Sequence, residues 1–422
     1  MHLSHTKTPL FYSRAYSKDG SYLLVRTSEF VRNSFEGGLK LRQLRILVFS
    51  AAFGNGHLRA AEAVIEGLCI KEPSAIVTHL DFGDFLSKRF NRMVKKLYFE
   101  LIKHSPKLWG KFYYKTSKLD HKSRIQRFLN QLGRCDFLKY IQEFNPDLIV
   151  CTYPTVSSIL AQLRLEHILQ VPVITVITDY TVHSHWVHPG VDRYMVACEE
   201  VKEMLVTGGI PVQRIHVTGI PISPKFEKKI DRELILSKLG IRPSLPTFLV
   251  MGAYGNLEST KRICKKLADS VVPIQSIIVC GNNERLFHSL HEVATNSRNP
   301  LIRLGYVDNM EELMSVTDLI ITKAGGLTVT EALTMHLPLV IYKPIPGQEE
   351  ENATFVQGIG AGQVADTEEE LERMIFRFLT YPKEIEKMRE NASVALLGHS
   401  AEKAVNNMLD LLFNSKSKQR IG

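Results

Sequence analysis

The chain has 422 residues, 44% of them hydrophobic and 23% charged, with a net charge of +9 at neutral pH. That length suits two globular domains, and no apolar run is long enough to cross a bilayer as a helix. The first twenty residues lack an apolar core and a small-residue cleavage site, so no secretory signal is expected there. The six cysteines, at 69, 135, 151, 198, 264 and 280, show neither metal nor redox spacing and suit a reducing compartment.

Residues 1–43 show no period and are expected to form a poorly ordered extension. From Leu44 the chain alternates strand-like and helix-like segments. Strands are predicted at 44–49, 75–79, 147–152, 172–178 and 193–197, with helices such as 57–70 and 132–144 between them. This alternation is that of a parallel sheet wrapped by helices. Residues 215–224, with Gly219, Pro221 and Pro224, read as a hinge. A second alternation follows, with strands at 248–255, 276–281, 302–307, 318–326 and 339–344. Helices around 368–412 close the chain and can cross back to the first domain. The predicted architecture is α/β, two doubly wound domains in tandem, with ligands in the cleft at the carboxyl ends of the strands. The boundaries are 44–218 for the first domain, 219–400 for the second and 401–422 for a final helix and tail.

The positive charge is concentrated. Residues 85–134 hold fourteen Lys or Arg against two acids, Glu100 and Asp120, so +12 lies there and the rest of the chain sums to −3. Lys88, Arg89, Arg92, Lys95 and Lys96 are interleaved with aromatics, and Trp109, Phe112 and Tyr113 follow. Such a stretch suits an anionic membrane surface or a nucleic acid.

Two segments carry the chemistry. Near the start, Ser50-Ala51-Ala52-Phe53-Gly54-Asn55-Gly56-His57 joins a strand to an alanine-rich helix. It has no Lys-Ser or Lys-Thr and no third glycine, so it is neither a P-loop nor a dinucleotide fingerprint. In the second half, Lys323-Ala324-Gly325-Gly326 follows an apolar strand and leads into a helix opened by Thr328 and carrying Glu331. Backbone amides there can bind a diphosphate at the positive end of the helix dipole. Glu331, about one turn in, can accept both hydroxyls of a ribose. The loop Pro346-Gly347-Gln348-Glu349 offers a donor–acceptor pair for sugar hydroxyls, and Asn352 can hold that loop or reach a phosphate. The plainer alternative is helix capping by Thr328 and Asn352 beside a solvated Glu349–Glu351 run. Gly252-Ala253-Tyr254-Gly255 is a second candidate amide nest. No Asp-x-Asp pair is placed to hold a catalytic metal, and no cofactor is expected.

Together these motifs resemble the glycolipid-forming glycosyltransferases of family 28. They are similar to the bacterial processive diacylglycerol glucosyltransferases and, more distantly, to plant monogalactosyldiacylglycerol synthases. The similarity runs from about residue 44 to 410 and includes FGNGH at 53–57, VITD at 176–179, HSHWVHPGVDRYMVA at 183–197, VTGIPI at 217–222, ITKAGG at 321–326 and YKPIPGQEEENA at 342–353. Ala324 departs from the proline expected there. The resemblance implies a GT-B fold, with an acceptor half and a UDP-sugar half, and inverting transfer to the 3-hydroxyl of diacylglycerol or glycosyl-diacylglycerol. By position it implies that Glu331 binds the ribose, Gln348 and Glu349 the sugar, and Gly252, Gly255, Gly325 and Gly326 the phosphates. UDP-glucose and UDP-galactose both remain open as donors.

Inversion requires a base on the acceptor side. His57 is one candidate, kept neutral by the dipole of the helix it opens, with Gly54 and Gly56 admitting the acceptor. Asp179, at the end of an apolar run, is the other. His183, His185 and His188 are too loosely spaced for zinc, and Trp186 is expected to pack or touch the acceptor. Residues 85–118 become the expected membrane-docking surface, which places the protein peripherally on the cytoplasmic face of the membrane. A UDP-sugar epimerase and a nucleic-acid-binding protein are the competing classes. The basic aromatic stretch argues against the first, and the Gly-Gln-Glu loop would be idle in the second.

Overall fold

The computed structural model describes residues 12–16, 22–26, 43–51, 54–86, 88–117, 131, 134–251, 257–396 and 398–419. Strands β1 (Tyr12–Tyr16) and β2 (Tyr22–Arg26) pair antiparallel within the extension expected to lack order. Their content of Tyr, Leu and Val favours extended backbone.

The first domain is a six-stranded parallel sheet of β3 (Arg45–Ser50), β4 (Ile76–Asp81), β5 (Leu148–Cys151), β6 (Val173–Val176), β7 (Arg193–Val196) and β8 (Ile215–Val217), in the order β4-β3-β5-β6-β7-β8. β3, β5 and β6 are buried almost throughout, which is why they read as unbroken apolar runs rather than alternating ones. The second domain repeats the plan with β9 (Thr247–Met251), β10 (Gln275–Val279), β11 (Leu301–Leu304), β12 (Leu319–Thr322), β13 (Leu339–Tyr342) and β14 (Gly362–Ala365), in the order β11-β10-β9-β12-β13-β14. All pairings in both sheets are parallel. β8 and β14 are absent from the sequence prediction. β8 is three residues long and runs straight into the hinge, and β14 is Gly-Gln-Val-Ala, which has little apolar signal.

In each sheet the strand order reverses once, between β3 and β5 and between β9 and β12, and crevices for ligands open at such points. α1 (Gly56–Lys71) leaves β3 at the first reversal. α4 (Gly326–Thr334) leaves β12 at the second and starts two residues before the Thr328 opening expected from sequence. Between β4 and β5 lie α2 (Lys88–His104) and α3 (Pro106–Thr116), which span the basic aromatic stretch. α5 (Gln348–Gly358) follows β13, and α6 (Glu368–Thr380) and α7 (Lys383–Ala395) close the second domain.

Of the closing helices only α8 (Ser400–Gln419) crosses back, packing Ala404, Val405, Met408 and Leu412 into the core of the first domain with Val64 and Leu68. Gly67 lies in this contact, where a Cβ would stand 3.0 Å from Val405 Cγ2 and press the two helices slightly apart. Each buried Leu or Val contributes roughly 1.5–3 kcal/mol, so the strap ties the end of the chain to the first domain. Lys71 and Glu402 add an exposed ion pair at 2.6 Å. The hinge itself turns at Gly219, φ +80°, against Ser400, whose hydroxyl accepts the Ile222 amide at 3.3 Å.

Candidate active site

On the first domain the site is built from the ends of β3, β5 and β6. The β3–α1 turn passes Gly54 at φ +92°, a backbone open to glycine and costly for other residues. His57 sits in the first turn of α1 and is anchored at two points. Its carbonyl accepts from Thr152 Oγ1 at 2.8 Å, just past β5, and its Nδ1 is hydrogen-bonded to Thr178 Oγ1 at 3.0 Å, just past β6. Tyr153 and Trp186 wall the ring, with centroids 5.3 and 6.1 Å away. Burial holds the imidazole below its usual pKa, opposed by the Asp179 charge and the Thr152 bond. Desolvation thus acts on the ring in the same direction as the helix dipole invoked from sequence.

Asp179 is buried next to Thr178, and its Oδ1 accepts from Asn352 Nδ2 at 3.0 Å. Burial pushes its carboxyl up, against the pull of the Asn352 bond and the His57 charge. His57 is half-buried and Asp179 buried, and each feels the charge of the other. Asn352 corrects the sequence expectation. Its side chain is fully buried and spent on protein: Nδ2 also donates to the Ala324 carbonyl at 2.9 Å, and Oδ1 accepts the Tyr180 amide at 2.8 Å. It bridges the two domains and has no group left for a phosphate.

The second domain meets this pair through α4. A Cβ on Gly326 would stand 2.1 Å from the Thr178 carbonyl oxygen and 3.2 Å from Asp179 Oδ1, so only glycine lets the helix end approach. Gly325 faces open space. Both line a cleft of about 590 Å³ together with Gly56, Arg59, Thr328 and Glu331. Burial lifts the Glu331 carboxyl to about 8, with the Arg59 charge resisting and Glu311 assisting. Arg59 was not singled out from sequence. It donates from the first domain to Tyr306 Oη of the second at 2.7 Å, and to Glu62 at 3.0 Å. Its only sequence signal is its place two residues after His57. Tyr153, likewise missed, is marked only by following β5.

Gln348 begins α5, and Glu349 beside it accepts the Ile345 amide at 2.8 Å. Burial raises the Glu349 carboxyl, and Lys323 draws it back. One Glu349 oxygen therefore shapes the loop. The Gly252–Gly255 nest lies outside the described residues.

Of the expected membrane-docking residues, Arg89, Arg92, Lys96 and Phe112 are exposed, as are Met93, Leu97, Phe99 and Leu108. Lys88 opens α2. Lys95 is half-buried, 4.0 Å from Asp81 Oδ2, and Trp109 lies edge-on to Tyr98 at 5.2 Å. Tyr113 turns inward, which corrects its placement on the docking surface: its ring packs on Gly347 and lies 4.8 Å from the His183 ring. Trp186 is 4% exposed and packs beside His57. His183 Nε2 lies 3.2 Å from the Tyr113 carbonyl, and His188 Nε2 lies 2.9 Å from that of His185. Among the described residues no three His, Cys, Asp or Glu side chains are grouped to hold a metal ion.

Residues 57–222 match the monogalactosyldiacylglycerol (MGDG) synthase family, and residues 257–408 match the glycosyltransferase family 28 C-terminal domain. The chain is 33% identical over 381 residues to the processive diacylglycerol beta-glucosyltransferase of Bacillus pumilus, covering 89% of this chain and 98% of that one. It is 31% identical over 380 residues to the enzyme of the same name from Bacillus subtilis, with the same coverage. Among solved structures, MurG of Acinetobacter baumannii superposes with a TM-score of 0.58 at 15% identity, over 87% of this chain and all of that one. The UDP-GlcNAc 2-epimerase of Neisseria meningitidis reaches 0.56 at 13% identity, over 87% and 100%. These two likenesses speak for the fold. With two six-stranded parallel sheets facing one cleft, and relatives matched along nearly their whole length, the chain belongs to glycosyltransferase family 28 and has the GT-B fold.

Proposed function

We propose that the protein is an inverting glycosyltransferase that moves glucose from UDP-glucose to the 3-hydroxyl of 1,2-diacylglycerol, with the glycosylated lipid able to return as acceptor. The observation that carries this is the meeting of the two domains beside Asp179: a Cβ on Gly326, at the N-terminus of α4, would stand 3.2 Å from Asp179 Oδ1, and His57 is tied to the adjoining Thr178 at 3.0 Å. A proton acceptor on one domain then stands beside a helix end on the other, whose Gly325 and Gly326 line the cleft with Glu331.

The acceptor oxygen attacks C1 of the sugar as the bond from C1 to the UDP oxygen breaks, and its electron pair leaves with the diphosphate. Attack from the far face converts an α-linked donor to a β-glycoside. His57 takes the proton. Thr178 Oγ1 lies 3.0 Å from Nδ1, and the tautomer with its proton on Nδ1 leaves the Nε2 lone pair to receive it. Asp179 stabilises the imidazolium that forms. The amides of Gly325 and Gly326 and the α4 dipole take up the developing diphosphate charge, so catalysis needs no metal. Glu331 binds the ribose, and a carboxyl near pKa 8 can both donate to and accept from its hydroxyls. Gln348 and Glu349 read the sugar.

The exposed apolar and basic faces of α2 and α3 dock the enzyme peripherally on an anionic leaflet, where its lipid acceptor resides. Among the described residues no helix is long and apolar enough to span a membrane.

The deciding experiment is mass spectrometry of lipid products from dioleoylglycerol vesicles offered UDP-glucose and UDP-galactose in competition, with and without EDTA. Hexosyl-diacylglycerol carrying glucose, formed equally well in EDTA, is expected. Galactose in the product would assign the galactosyltransferase activity named in the MGDG synthase family that the first half matches. Interconversion of sugar nucleotides without a lipid product would sink the proposal.

A further inference from the structure

The elements that carry the exposed apolar and basic side chains rest on the loop of the opposite domain. α3 meets the Pro346–Gly347 turn at two close approaches. A Cβ on Gly110 would stand 2.4 Å from Pro346 Cβ, and a Cβ on Gly347 would stand 2.8 Å from the Tyr113 ring. Gly347 is at φ +103°, ψ −128°, a conformation open essentially to glycine alone. The Tyr113 ring fills the space that a side chain would otherwise occupy. One residue on, Tyr114 Oη lies 3.1 Å from Glu350 Oε2 and 3.2 Å from Glu351 Oε1, in the first turn of α5. From the first domain, His183 Nε2 meets Thr116 Oγ1 at 3.2 Å, and Ser184 Oγ donates to the Thr116 carbonyl at 3.1 Å. α3 is therefore held between the His183–Ser184 turn of one domain and the Pro346–Glu351 loop of the other.

We infer that Tyr113 and Gly110 are positioning residues for the donor-sugar loop, and that through them seating of the α2–α3 pair on a lipid surface is linked to binding of the sugar nucleotide. Glu349 and Glu350 tie the base of the turn by accepting the Ile345 and Gly347 amides at 2.8 and 3.3 Å, while glycine itself leaves the backbone dihedrals free. The ring above it and the flat contact at Gly110 restrict it, so any force that settles α3 also settles the start of α5, where Gln348 and Glu349 stand. The link is reciprocal: the factor by which vesicles tighten donor binding equals the factor by which donor tightens vesicle binding. The inference rests on the reading above that this loop holds the donor sugar and that α2 and α3 face the lipid.

The test uses the full chain with vesicles of dioleoylglycerol in mixed phosphatidylglycerol and phosphatidylcholine. Tyr113→Ala is expected to raise KM for UDP-glucose by about tenfold with a smaller change in kcat, while flotation with vesicles stays at the wild-type level. Tyr113→Phe, which keeps the ring, restores the wild-type KM. Gly110→Ala, which opens no cavity but presses on Pro346, moves KM in the same direction. In the wild type, UDP-glucose binds more tightly with vesicles than without. Wild-type KM in both Tyr113→Ala and Gly110→Ala, or donor affinity indifferent to vesicles, overturns the inference. Gln348→Ala separates the two levels. If it leaves donor KM unchanged, the assignment of the loop to the sugar fails; if it raises KM while the Tyr113 and Gly110 variants do not, only the coupling fails.

Discussion

His57 and Asp179 are pushed toward their neutral forms by the same burial, and each resists through the charge of the other. With His57 as the base, His57→Ala should lower kcat by roughly 10²–10⁴. The acid limb of the wild-type rate profile should then fall below the ordinary imidazole range, since the ring pKa is depressed. Asp179→Asn removes the charge that favours imidazolium, so it should shift that limb further down and leave measurable turnover. Near-normal activity in His57→Ala together with a dead Asp179→Asn would assign the base to Asp179. Glu331 gives a test of a different kind. Its carboxyl titrates near 8 in the fold against 4.5 when free, so the fold favours the protonated form. That preference costs no stability below about pH 4.5, and the penalty grows as pH rises through 8. Glu331→Gln should therefore be more stable than wild type toward urea at pH 9 and not at pH 4, while its KM for UDP-glucose rises. Equal stability gains at both pH values would contradict a buried, proton-holding Glu331.

At the scale of elements, the domain contact is made where a helix end meets a strand end. α4 approaches the Thr178 carbonyl so closely that Gly326 admits no side chain. Gly326→Ala should part the two halves and remove most activity while each core stays folded, seen as lost turnover with preserved far-ultraviolet circular dichroism. Asn352 acts in the same seam with three hydrogen bonds to backbone and carboxylate partners. Asn352→Leu leaves those partners buried and unpaired, at a cost of roughly 2–4 kcal/mol measurable by chemical unfolding. A change within 0.5 kcal/mol would show that the seam is wetter than its burial implies.

At the scale of the whole molecule, α2 and α3 carry nine Lys or Arg against one acid, Glu100, together with the exposed Met93, Leu97, Phe99, Leu108 and Phe112. Basic residues near an anionic leaflet contribute about 1 kcal/mol each. Reversing two exposed ones, Arg92→Glu with Lys96→Glu, should therefore weaken vesicle flotation by more than tenfold. High salt should weaken it too, as the screening length falls from about 10 Å at 0.1 M to about 3 Å at 1 M. Flotation that ignores both charge reversal and anionic lipid content would remove the docking surface from the account.

Strand and helix order, the two doubly wound halves and the Gly-rich and Gly-Gln-Glu motifs were legible in the amino-acid sequence, because parallel strands buried on both faces leave continuous apolar runs and turns between them call for glycine. β8 and β14 were not, being too short or too poor in large apolar residues to stand out. The roles of single polar residues were least legible. Asn352 sits in a motif that suggests ligand binding, yet it is spent on Asp179, Ala324 and Tyr180, and Tyr113 sits in a basic run yet turns toward Gly347. Arg59 and Tyr153 carry no signal beyond their places after His57 and β5. These outcomes depend on which surfaces of two distant halves are brought together, and spacing along one chain holds no record of that. The sequence by itself determined the fold of each half and the family of the whole. The tertiary structure alone decided which side chains face the cleft, because burial and cross-domain hydrogen bonds exist only once the two sheets meet.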